Sequence, residues 1–587
     1  MKKIFYLPVL VLLFASCELK ELPKSEATEE DIFGSEKGLK NYSNSFYRNI
    51  TSGSDAYKGD AMADYAAVNR VNDFMVEGAY SKEVEELKGL WTWTALRNIN
   101  QMIAKCTSPN LSDKVKNNYI GLARFFRAWF YYEKVVRFGD VPWVDHPLTV
   151  DETDILKAPR DSREVVMKHI MEDLDFAYEN ITDAPGDGTT VNKWTALGLK
   201  TRIALFEGTF RKYHQLNLPT KPETFFQYAV DAGKILMETG PYRLHIAADP
   251  KISQRELFIS EQPMKDEVML AVAFSKNQAL MNDANWWWTS ATYGPRLSLV
   301  RPFINTILNA DGSPYTDRPN YEKEEFYDEC QNRDLRLAQL IRTPGYKRGG
   351  KAAPPNFASY TYTGYQPIKY ALDDPYYDNG GFNTNALPLM RYAEVLLNYA
   401  EAKQELGTFN DGDWSKTVGA LRARAGISGG ANVLPAKVDT YLKNTFFPGI
   451  SNPVLLEIRR ERQVELALEG FRFNDLKRWK TGELMAKLQW TGIYIPALEK
   501  PMDLDRDGTP DVLFYDASRP EPTVEGVTKV KLGGAKNSQT MTADNHLQWG
   551  MTMNRKWYDD GKQYLYPIPS SALVLNNQLG QNQGWEK

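Results

Sequence analysis

Apolar residues recur with helical spacing in three regions of the chain and predict paired helices there. The predicted helices cover 88–105 and 117–138, 163–180 and 194–208, and 387–406 and 414–425. Gly139 and Pro142 are expected to end the helix at 117–138. Helix pairs that cover each other's apolar faces favour an irregular tetratricopeptide-like helical-repeat scaffold, and WTALG at 194–198 matches the opening of that repeat.

Two long stretches, 240–386 and 490–565, lack this periodicity. They are rich in Gly, Pro, Asn, Asp and aromatic residues and contain short β-like pieces such as 268–274. Long ordered loops on a rigid frame commonly carry function. We therefore predict a mostly α fold with helical pairs within about 88–240 and 387–480, and with long loop-rich and short β insertions that carry the function.

Charged residues follow the helical period around 458–480, IRRERQVELALEGFRFNDLKRWK. The acidic positions recur every fourth residue beside basic ones, namely Glu457, Glu461 and Glu465 with Arg459, Arg460 and Arg462. Residues four apart lie on neighbouring turns, so the pattern predicts one helix laced by ion pairs. Val464 and Leu468 would supply its apolar line.

The N-terminus has the pattern of a lipoprotein signal peptide. Lys2 and Lys3 precede an apolar run at 4–14 that is too short to span a bilayer, and Cys17 follows two small residues. We expect the Cys17 thiol to be acylated, and an ordinary secretory signal with a chance cysteine is the alternative. The predicted organisation is a signal peptide at 1–16, a lipidated N-terminus and polar tether at 17–35, and a single domain at 36–587.

Composition narrows the class of protein. A chain of 587 residues, 42% of them apolar, buries a large core. A net charge of −4 and a pI near 6.0 give no electrostatic basis for binding nucleic acid. The 14 Trp and 32 Tyr residues suit a binding surface as well as a core. Beyond Cys17, Cys106 and Cys330 form either one disulfide or two separate thiols.

Five blocks in order resemble the SusD/RagB family. They are 125–143 (FFRAWFYYEKVVRFGDVPW), 387–407 (LPLMRYAEVLLNYAEAKQELG), 421–427 (LRARAGI), the 458–480 stretch with its ending EGFRFNDLKRWK, and 564–585 (YLYPIPSSALVLNNQLGQNQGW). The resemblance implies a SusD-like fold and a surface lipoprotein that captures nutrients, usually glycans. It also implies a SusC-like TonB-dependent outer-membrane transporter as partner and an outer-membrane location through acylated Cys17. Within these blocks we expect buried or half-buried ion pairs rather than ligand groups at Arg391, Glu394, Glu401, Asp475 and Arg478.

Three adjacent tryptophans are the most specific candidate for a glycan-binding site. Trp286, Trp287 and Trp288 cannot all point into one core from a strand or a helix, so at least one of them should be exposed. An exposed indole offers a flat apolar plate for a sugar ring, and Tyr293 and Arg296 follow nearby. Packing of the loop or contact with the transporter are the alternatives.

Two other segments are candidates for the same site. In SusD-like proteins the region that 59–73 resembles lies near the ligand, which points to Tyr65 and Asp73, with Trp91 as a further candidate. The segment 360–370, YTYTGYQPIKY, has a similar aromatic and polar composition.

The segment 503–511, DLDRDGTPD, spaces its carboxylates as a calcium-binding loop does. Four aspartates stand at positions 1, 3, 5 and 9 with glycine at position 6, and the predicted ligands are Asp503, Asp505, Asp507, the Thr509 carbonyl and Asp511. Phe514 occupies position 12, where an EF-hand has glutamate, so another acid or water would have to complete the shell. We expect a structural Ca²⁺ here, and a solvated acidic turn is the alternative.

Signals for catalysis are sparse. The chain has no HExxH pattern, no G-x-S-x-G segment and no phosphate-binding glycine loop with its lysine. We therefore expect a binding protein and not an enzyme. Two alternatives are a surface lipoprotein enzyme such as a glycoside hydrolase, whose carboxylate pair meets only in the fold, and a helical-repeat scaffold without a small ligand.

Overall fold

The computed structural model describes residues 28–49, 52–183, 186–289, 293–429, 433–535, 538–558 and 560–586, and helices dominate it. The predicted signal peptide at 1–16 and Cys17 lie outside these residues. Among the residues described, no helix combines the length and the hydropathy needed to cross a membrane.

The N-terminal part is a series of helices packed side by side. They are α1 (Glu29–Phe33), α2 (Glu36–Asn44), α3 (Gly53–Gly59), α4 (Glu86–Leu90), α5 (Thr94–Lys105), α6 (Asp113–Phe138), α7 (Thr153–Leu156), α8 (Arg163–Asn180), α9 (Lys193–Tyr213) and α10 (Pro222–Thr239). Helices α5, α6, α8, α9 and α10 pack each against the next, which confirms the predicted helical-repeat frame. Ser112 caps the start of α6, and Gly139, with φ of +75°, ends it as predicted.

The predicted helix at 88–105 is two helices. Trp91 and Trp93 leave the helical conformation between α4 and α5, with ψ of 13° and 1°. Their indoles pack edge to face with centroids 5.4 Å apart, and Trp91 also packs on Phe138 at 4.8 Å. Tertiary packing of the two indoles therefore overrides helical periodicity here.

The folded part begins earlier than the predicted tether allows. Within 17–35, residues from Thr28 onward are described: Thr28 caps α1, and the Phe33 side chain is buried. The Phe33 ring packs 5.2 Å from Tyr42, and Lys105 pairs with Glu29 at 3.1 Å. Residues 28–35 therefore belong to the folded domain because a buried aromatic side chain holds them.

The middle of the chain contains short helices and most of the loops. Its helices are α11 (Ser253–Ile259), α12 (Ala284–Thr289), α13 (Arg301–Ile304), α14 (Phe326–Glu329) and α15 (Arg336–Leu340). The C-terminal part adds α16 (Tyr392–Glu405), α17 (Asp411–Lys416), α18 (Val418–Arg424), α19 (Thr440–Phe446), α20 (Pro453–Glu465), α21 (Arg472–Arg478), α22 (Leu484–Lys487) and α23 (Ser570–Leu575). Helix α16 packs against α9, α10 and α20 and so joins the two helical regions.

The strands are short and form small separate sheets. They are β1 (Ala66–Ala67), β2 (Val268–Val272), β3 (Ser298–Leu299), β4 (Lys347–Arg348), β5 (Lys351–Ala352), β6 (Leu387–Arg391), β7 (Thr491–Tyr494), β8 (Val512–Asp516), β9 (Thr528–Leu532), β10 (Thr540–Met541) and β11 (His546–Gln548). Antiparallel pairs are β1–β3, β2–β6, β4–β5 and the set β10–β11–β7, and β8–β9 is parallel. Strand β2 confirms the β-like piece predicted at 268–274.

Three predicted helices in the C-terminal part have different boundaries. The segment 387–406 begins as strand β6, because its apolar start pairs with β2 before α16 begins. The segment 414–425 breaks at Thr417, where ψ is −94°. The stretch 458–480 is divided into α20 and α21 by a turn in which Leu468 and Gly470 have φ of +66° and +82°.

Close backbone packing explains the break at Gly470. The Gly470 Cα lies 2.9 Å from where a Cβ on Gly59 of α3 would stand. Only glycine allows the two backbones to approach this closely, and glycine also tolerates the left-handed conformation. The 458–480 stretch therefore turns where it packs against α3 and does not continue as one helix.

The charged residues of α20 are buried and pair with other elements. The Glu465 carboxylate accepts from Arg391 at 2.6 Å and Arg336 at 2.9 Å, and Arg424 also donates to it. Arg391 in turn donates to Glu267 at 2.9 Å. The prediction of a helix laced by its own ion pairs holds for Arg460 and Glu457, which pair at 3.2 Å. The other ion pairs of its acids are formed with arginines from α15, β6 and α18.

The ion pairs predicted in the family blocks are confirmed. Glu401 accepts from Arg478 at 2.7 Å, and Arg478 also binds Asp475 at 2.8 Å. Glu394 binds Arg202 of α9 at 2.7 Å. These contacts connect α9, α16 and α21 at the centre of the helical frame.

The two cysteines in the described part of the chain are separate free thiols. Cys106 is buried, and its thiol lies 3.7 Å from the Lys116 carbonyl oxygen. Burial raises the pKa of both the Cys106 and the Cys330 thiol. Of the two alternatives for this pair, the structure has separate thiols.

Candidate functional site

The three tryptophans lie on α12 and diverge as helical spacing requires. Trp288 is in the core with 3% of its surface exposed, whereas Trp286 and Trp287 are half-buried. Successive helical residues are rotated by about 100°, so the three indoles meet different surroundings. None of the three is fully exposed, and Trp288 is corrected from a candidate ligand residue to a core residue.

Trp286 and Trp287 form an aromatic cluster with Tyr293. The Trp286 and Tyr293 rings stack with centroids 3.9 Å apart and planes at 19°. The Trp287 ring meets Tyr293 edge to face at 5.8 Å. The Lys58 ammonium lies 5.1 Å from the Trp287 centroid and 5.5 Å from the Tyr293 centroid, within the range of cation–π attraction.

The Asp283 carboxylate links the residues of this cluster by hydrogen bonds. Its carboxylate accepts hydrogen bonds from the Tyr57 and Tyr293 hydroxyls and from the Lys58 ammonium at 3.3 Å. Burial raises the pKa of Asp283, but the bonds from Tyr293 and Tyr57 and the charge of Lys58 outweigh it and lower the pKa overall. The carboxylate is therefore charged and fully engaged, and it fixes the orientation of the Tyr293 ring.

The loop at 59–73 is attached next to this cluster. The Asn69 N–H donates to the Pro295 carbonyl at 2.8 Å, and β1 pairs with β3 just beyond it. Asp73 is exposed and pairs with Arg70 at 2.9 Å. Both line a depression of about 280 Å³ that Pro295 also lines. Asp73 therefore remains a candidate beside the cluster.

Arg296 contacts the segment 360–370. The Arg296 guanidinium lies 6.0 Å from the Tyr362 centroid. Tyr362 stacks on Trp549 with centroids 3.8 Å apart and planes at 7°. The Trp549 indole in turn donates to the Val68 carbonyl at 2.8 Å. The loops at 59–73, 293–300 and 360–370 thus pack on one another. Residues 361 and 363–370 are buried, so the candidate segment 360–370 belongs to the core apart from the half-buried Tyr360 and Tyr362.

Two predicted ligand residues lie elsewhere. Tyr65 is 1% exposed: its ring packs on Phe303 at 4.6 Å and its hydroxyl donates to Asp60 at 2.5 Å. It is a core residue because both its ring and its hydroxyl are satisfied internally. Trp91 lines a separate apolar groove of about 800 Å³ between α5 and α23, away from the triple-tryptophan cluster.

The acidic loop brings three of its aspartates together. Asp503, Asp505 and Asp511 each offer a carboxylate oxygen, and these oxygens lie within 4.8 Å of one another. Burial and the neighbouring carboxylates raise the pKa of Asp511 to about 6 and also raise that of Asp505. Asp507 and Thr509 are exposed, and Asp507 is not part of this group. The donor set fits a hard cation, which prefers oxygen ligands.

Sequence reasoning missed Lys58 and Asp283. They lie 225 residues apart, and neither stands in a recognisable motif. The one local signal is the position of Asp283 just before α12, where an acidic residue is common. Their pairing depends on the packing of α3 against α12, which periodicity does not predict.

The fold and the site define a mostly α helical-repeat scaffold that carries an aromatic surface on its loops. The chain belongs to the SusD family, because the model of that family matches residues 259–585. A second model, described as starch-binding associating with outer membrane, matches residues 36–196. The predicted SusD-like fold and the resemblance to this family are thereby confirmed.

Known relatives agree with this assignment. SusD-like protein P2 of Formosa agariphila is 24% identical over 409 residues, which are 65% of this chain and 69% of the relative. The crystal structure of a SusD-like carbohydrate binding protein of Bacteroides fragilis has a TM-score of 0.69 at 20% identity, covering 94% of this chain and 100% of that one. A SusD homologue of Bacteroides thetaiotaomicron has a TM-score of 0.60 at 19% identity, covering 95% and 98%. These structural likenesses establish the fold.

Proposed function

We propose that this protein binds a glycan at the cell surface without cleaving it and delivers it to a SusC-like TonB-dependent transporter. Membership in the SusD family supports the proposal, as does the similarity to a structure described as carbohydrate-binding. The observation that carries it is the Trp286–Tyr293 stack, fixed by Asp283 and Lys58 on the loop surface. Stacked rings held by half-buried polar contacts lose little entropy on binding and suit the apolar face of a sugar ring.

Binding without turnover is the expected behaviour of the purified protein. Native gels that contain starch, xylan, laminarin or pectin should retard it in at least one case, and the same polysaccharide should release no reducing sugar after prolonged incubation. Release of sugar would favour the glycoside hydrolase alternative. Failure of every polysaccharide in a broad panel to retard the protein would contradict glycan binding.

Attachment to the outer membrane is proposed to occur through acylated Cys17. Cys17→Ala should release the protein from the membrane fraction, because the substitution removes the thiol to which the lipid is joined. Fractionation of cells that express the parent and the variant measures this directly. An intact variant that remains in the outer-membrane fraction would contradict lipid anchoring at this residue.

We also propose that Asp503, Asp505 and Asp511 hold a structural Ca²⁺, with Asp507 and the Thr509 carbonyl as further ligands after a small adjustment of the loop. A bound cation would offset both the burial and the carboxylate repulsion that raise the pKa of Asp511. Calcium should therefore raise the melting temperature of the parent protein, and a chelator should lower it. The Asp503→Asn/Asp505→Asn double variant should show no such response.

The control for this experiment is a carboxylate outside the loop. Asp516→Asn changes an exposed aspartate at the end of β8 and should keep the calcium response. Identical melting of the parent protein with calcium and with chelator would mean that the loop is a solvated acidic turn.

A further inference from the structure

Two aromatic side chains stand out by their exposure. Among the aromatic residues that the structure describes, Tyr376 and Phe382 alone are classed as exposed, at 49% and 37%. They stack on each other with centroids 5.2 Å apart and planes at 25°. The remaining aromatic side chains of the described residues are buried or half-buried. The stacked pair is therefore the most exposed aromatic surface of the described chain, with Tyr377 and Lys276 beside the Tyr376 ring.

The loop that carries this pair, residues 372–383, is fixed to α12 by Asn285. The buried Asn285 side-chain oxygen accepts from the Leu372 N–H and from the Asn383 side chain, both at 2.7 Å. The loop is therefore held at both of its ends by the residue that precedes Trp286.

A second contact fixes the middle of the loop. The Asp378 carboxylate accepts from the Thr289 hydroxyl at 3.0 Å and from Arg348 at 2.9 Å. Because Thr289 is the last residue of α12, the loop and the helix behave as one unit. The exposed pair is thus held in place before any ligand arrives, which reduces the entropy lost on binding.

Gly380 joins this loop to the Trp286–Tyr293 stack. A Cβ on Gly380 would stand only 2.7 Å from the Trp286 ring, so the indole packs directly on the glycine backbone. The next residue, Gly381, has φ of +70°, which lets the chain turn so that Phe382 returns to Tyr376. Phe382 follows Gly380 by two residues, so their Cα atoms are at most about 7 Å apart.

We propose that Tyr376 and Phe382 form a second stacking subsite, continuous with the Trp286–Tyr293 stack, and that the protein therefore binds an extended glycan chain rather than a short oligosaccharide. This inference rests on the proposed function and adds the length of the ligand to it. The Lys276 ammonium lies 5.6 Å from the Tyr376 centroid, where it can donate hydrogen bonds to sugar oxygens. A chain of a few sugar rings would contact both stacks at once.

The test compares oligosaccharides of increasing length. The probes are prepared from the polysaccharide that retards the parent protein most, from the disaccharide to the decasaccharide, and their affinities are measured by isothermal titration calorimetry. The affinity of the parent should rise with length. Tyr376→Ala and Phe382→Ala should each weaken binding of the decasaccharide by about tenfold. Neither variant should change the affinity for the shortest oligosaccharide that the parent binds.

Two variants control for other effects. Tyr376→Phe keeps the aromatic plate and should keep the affinity, and Leu575→Ala removes an exposed apolar side chain from the separate groove and should change nothing. Unchanged affinity of both alanine variants for the decasaccharide would overturn the subsite, as would equal affinity of the parent for all lengths, and either result leaves glycan binding intact. A parent protein that no polysaccharide retards would overturn the proposed function and the subsite together.

Discussion

Glu465→Gln is expected to lower the free energy of unfolding by about 3–5 kcal/mol, because it leaves buried arginines without their shared counter-charge. Arg336, Arg391 and Arg424 all donate to this carboxylate from different elements. The neutral amide is nearly the same size, so the loss reports charge rather than volume. Chemical denaturation of the parent and the variant measures the difference.

The pH dependence of stability is an independent test of what the Glu465 carboxylate contributes. Burial alone would raise the pKa of Glu465, but the charges of the three arginines hold it well below the ordinary value of 4.5. An acid with a lowered pKa in the folded state stabilises the fold above its unfolded pKa, and this contribution is lost as the pH falls through the folded pKa. The parent should therefore lose stability below about pH 4.5, and Glu465→Gln should lose it less steeply.

The control for this variant is Glu238→Gln on the exposed surface of α10. This substitution should change the free energy of unfolding by less than about 0.5 kcal/mol. Equal stability of the parent and Glu465→Gln would mean that the buried ion pairs do not hold the helical frame together.

Trp288→Ala is expected to lower stability and Trp286→Ala to abolish glycan binding, although the two residues are only two positions apart. Trp288 is a core residue, so its truncation should cost about 3–5 kcal/mol of stability. Trp286 is half-buried and stacks on Tyr293 at the loop surface, so its truncation should abolish glycan retention and change melting little. Thermal melting together with affinity electrophoresis reads both effects.

Trp286→Phe is the matched control because it keeps an aromatic plate on Tyr293 and Gly380. It should retain part of the binding that Trp286→Ala loses. If Trp286→Ala loses stability as Trp288→Ala does and neither loses binding selectively, the segment is core, and the site should be sought around Asp73 and Arg296 instead.

The sequence predicts the helical frame well because its helices are long and strongly periodic. The predicted 163–180 coincides with α8, and the predicted 117–138 lies within α6, where Ser112 and Gly139 mark the ends. Periodicity fails where tertiary contacts decide the backbone. Gly470 turns because it packs against α3, and β6 is extended because β2 pairs with it.

The candidate site was predicted only in part. Divergence of three adjacent indoles follows from helical geometry, so it could be predicted without knowing the fold. The surroundings of the Trp286–Tyr293 stack could not be predicted, because Lys58 beside Tyr293 and Gly380 beside Trp286 come from segments far from α12 in the sequence. Tyr65 was wrongly included because proximity in sequence to a ligand loop does not reveal which side chains point inward.

Affinity electrophoresis of the parent and Trp286→Ala in gels that contain the same polysaccharides tests directly whether the Trp286–Tyr293 stack binds glycan. At least one polysaccharide should retard the parent and not the variant, while both proteins should melt at nearly the same temperature. Equal retardation of the two proteins by every polysaccharide that binds would contradict the assignment of the Trp286–Tyr293 stack as the glycan-binding surface.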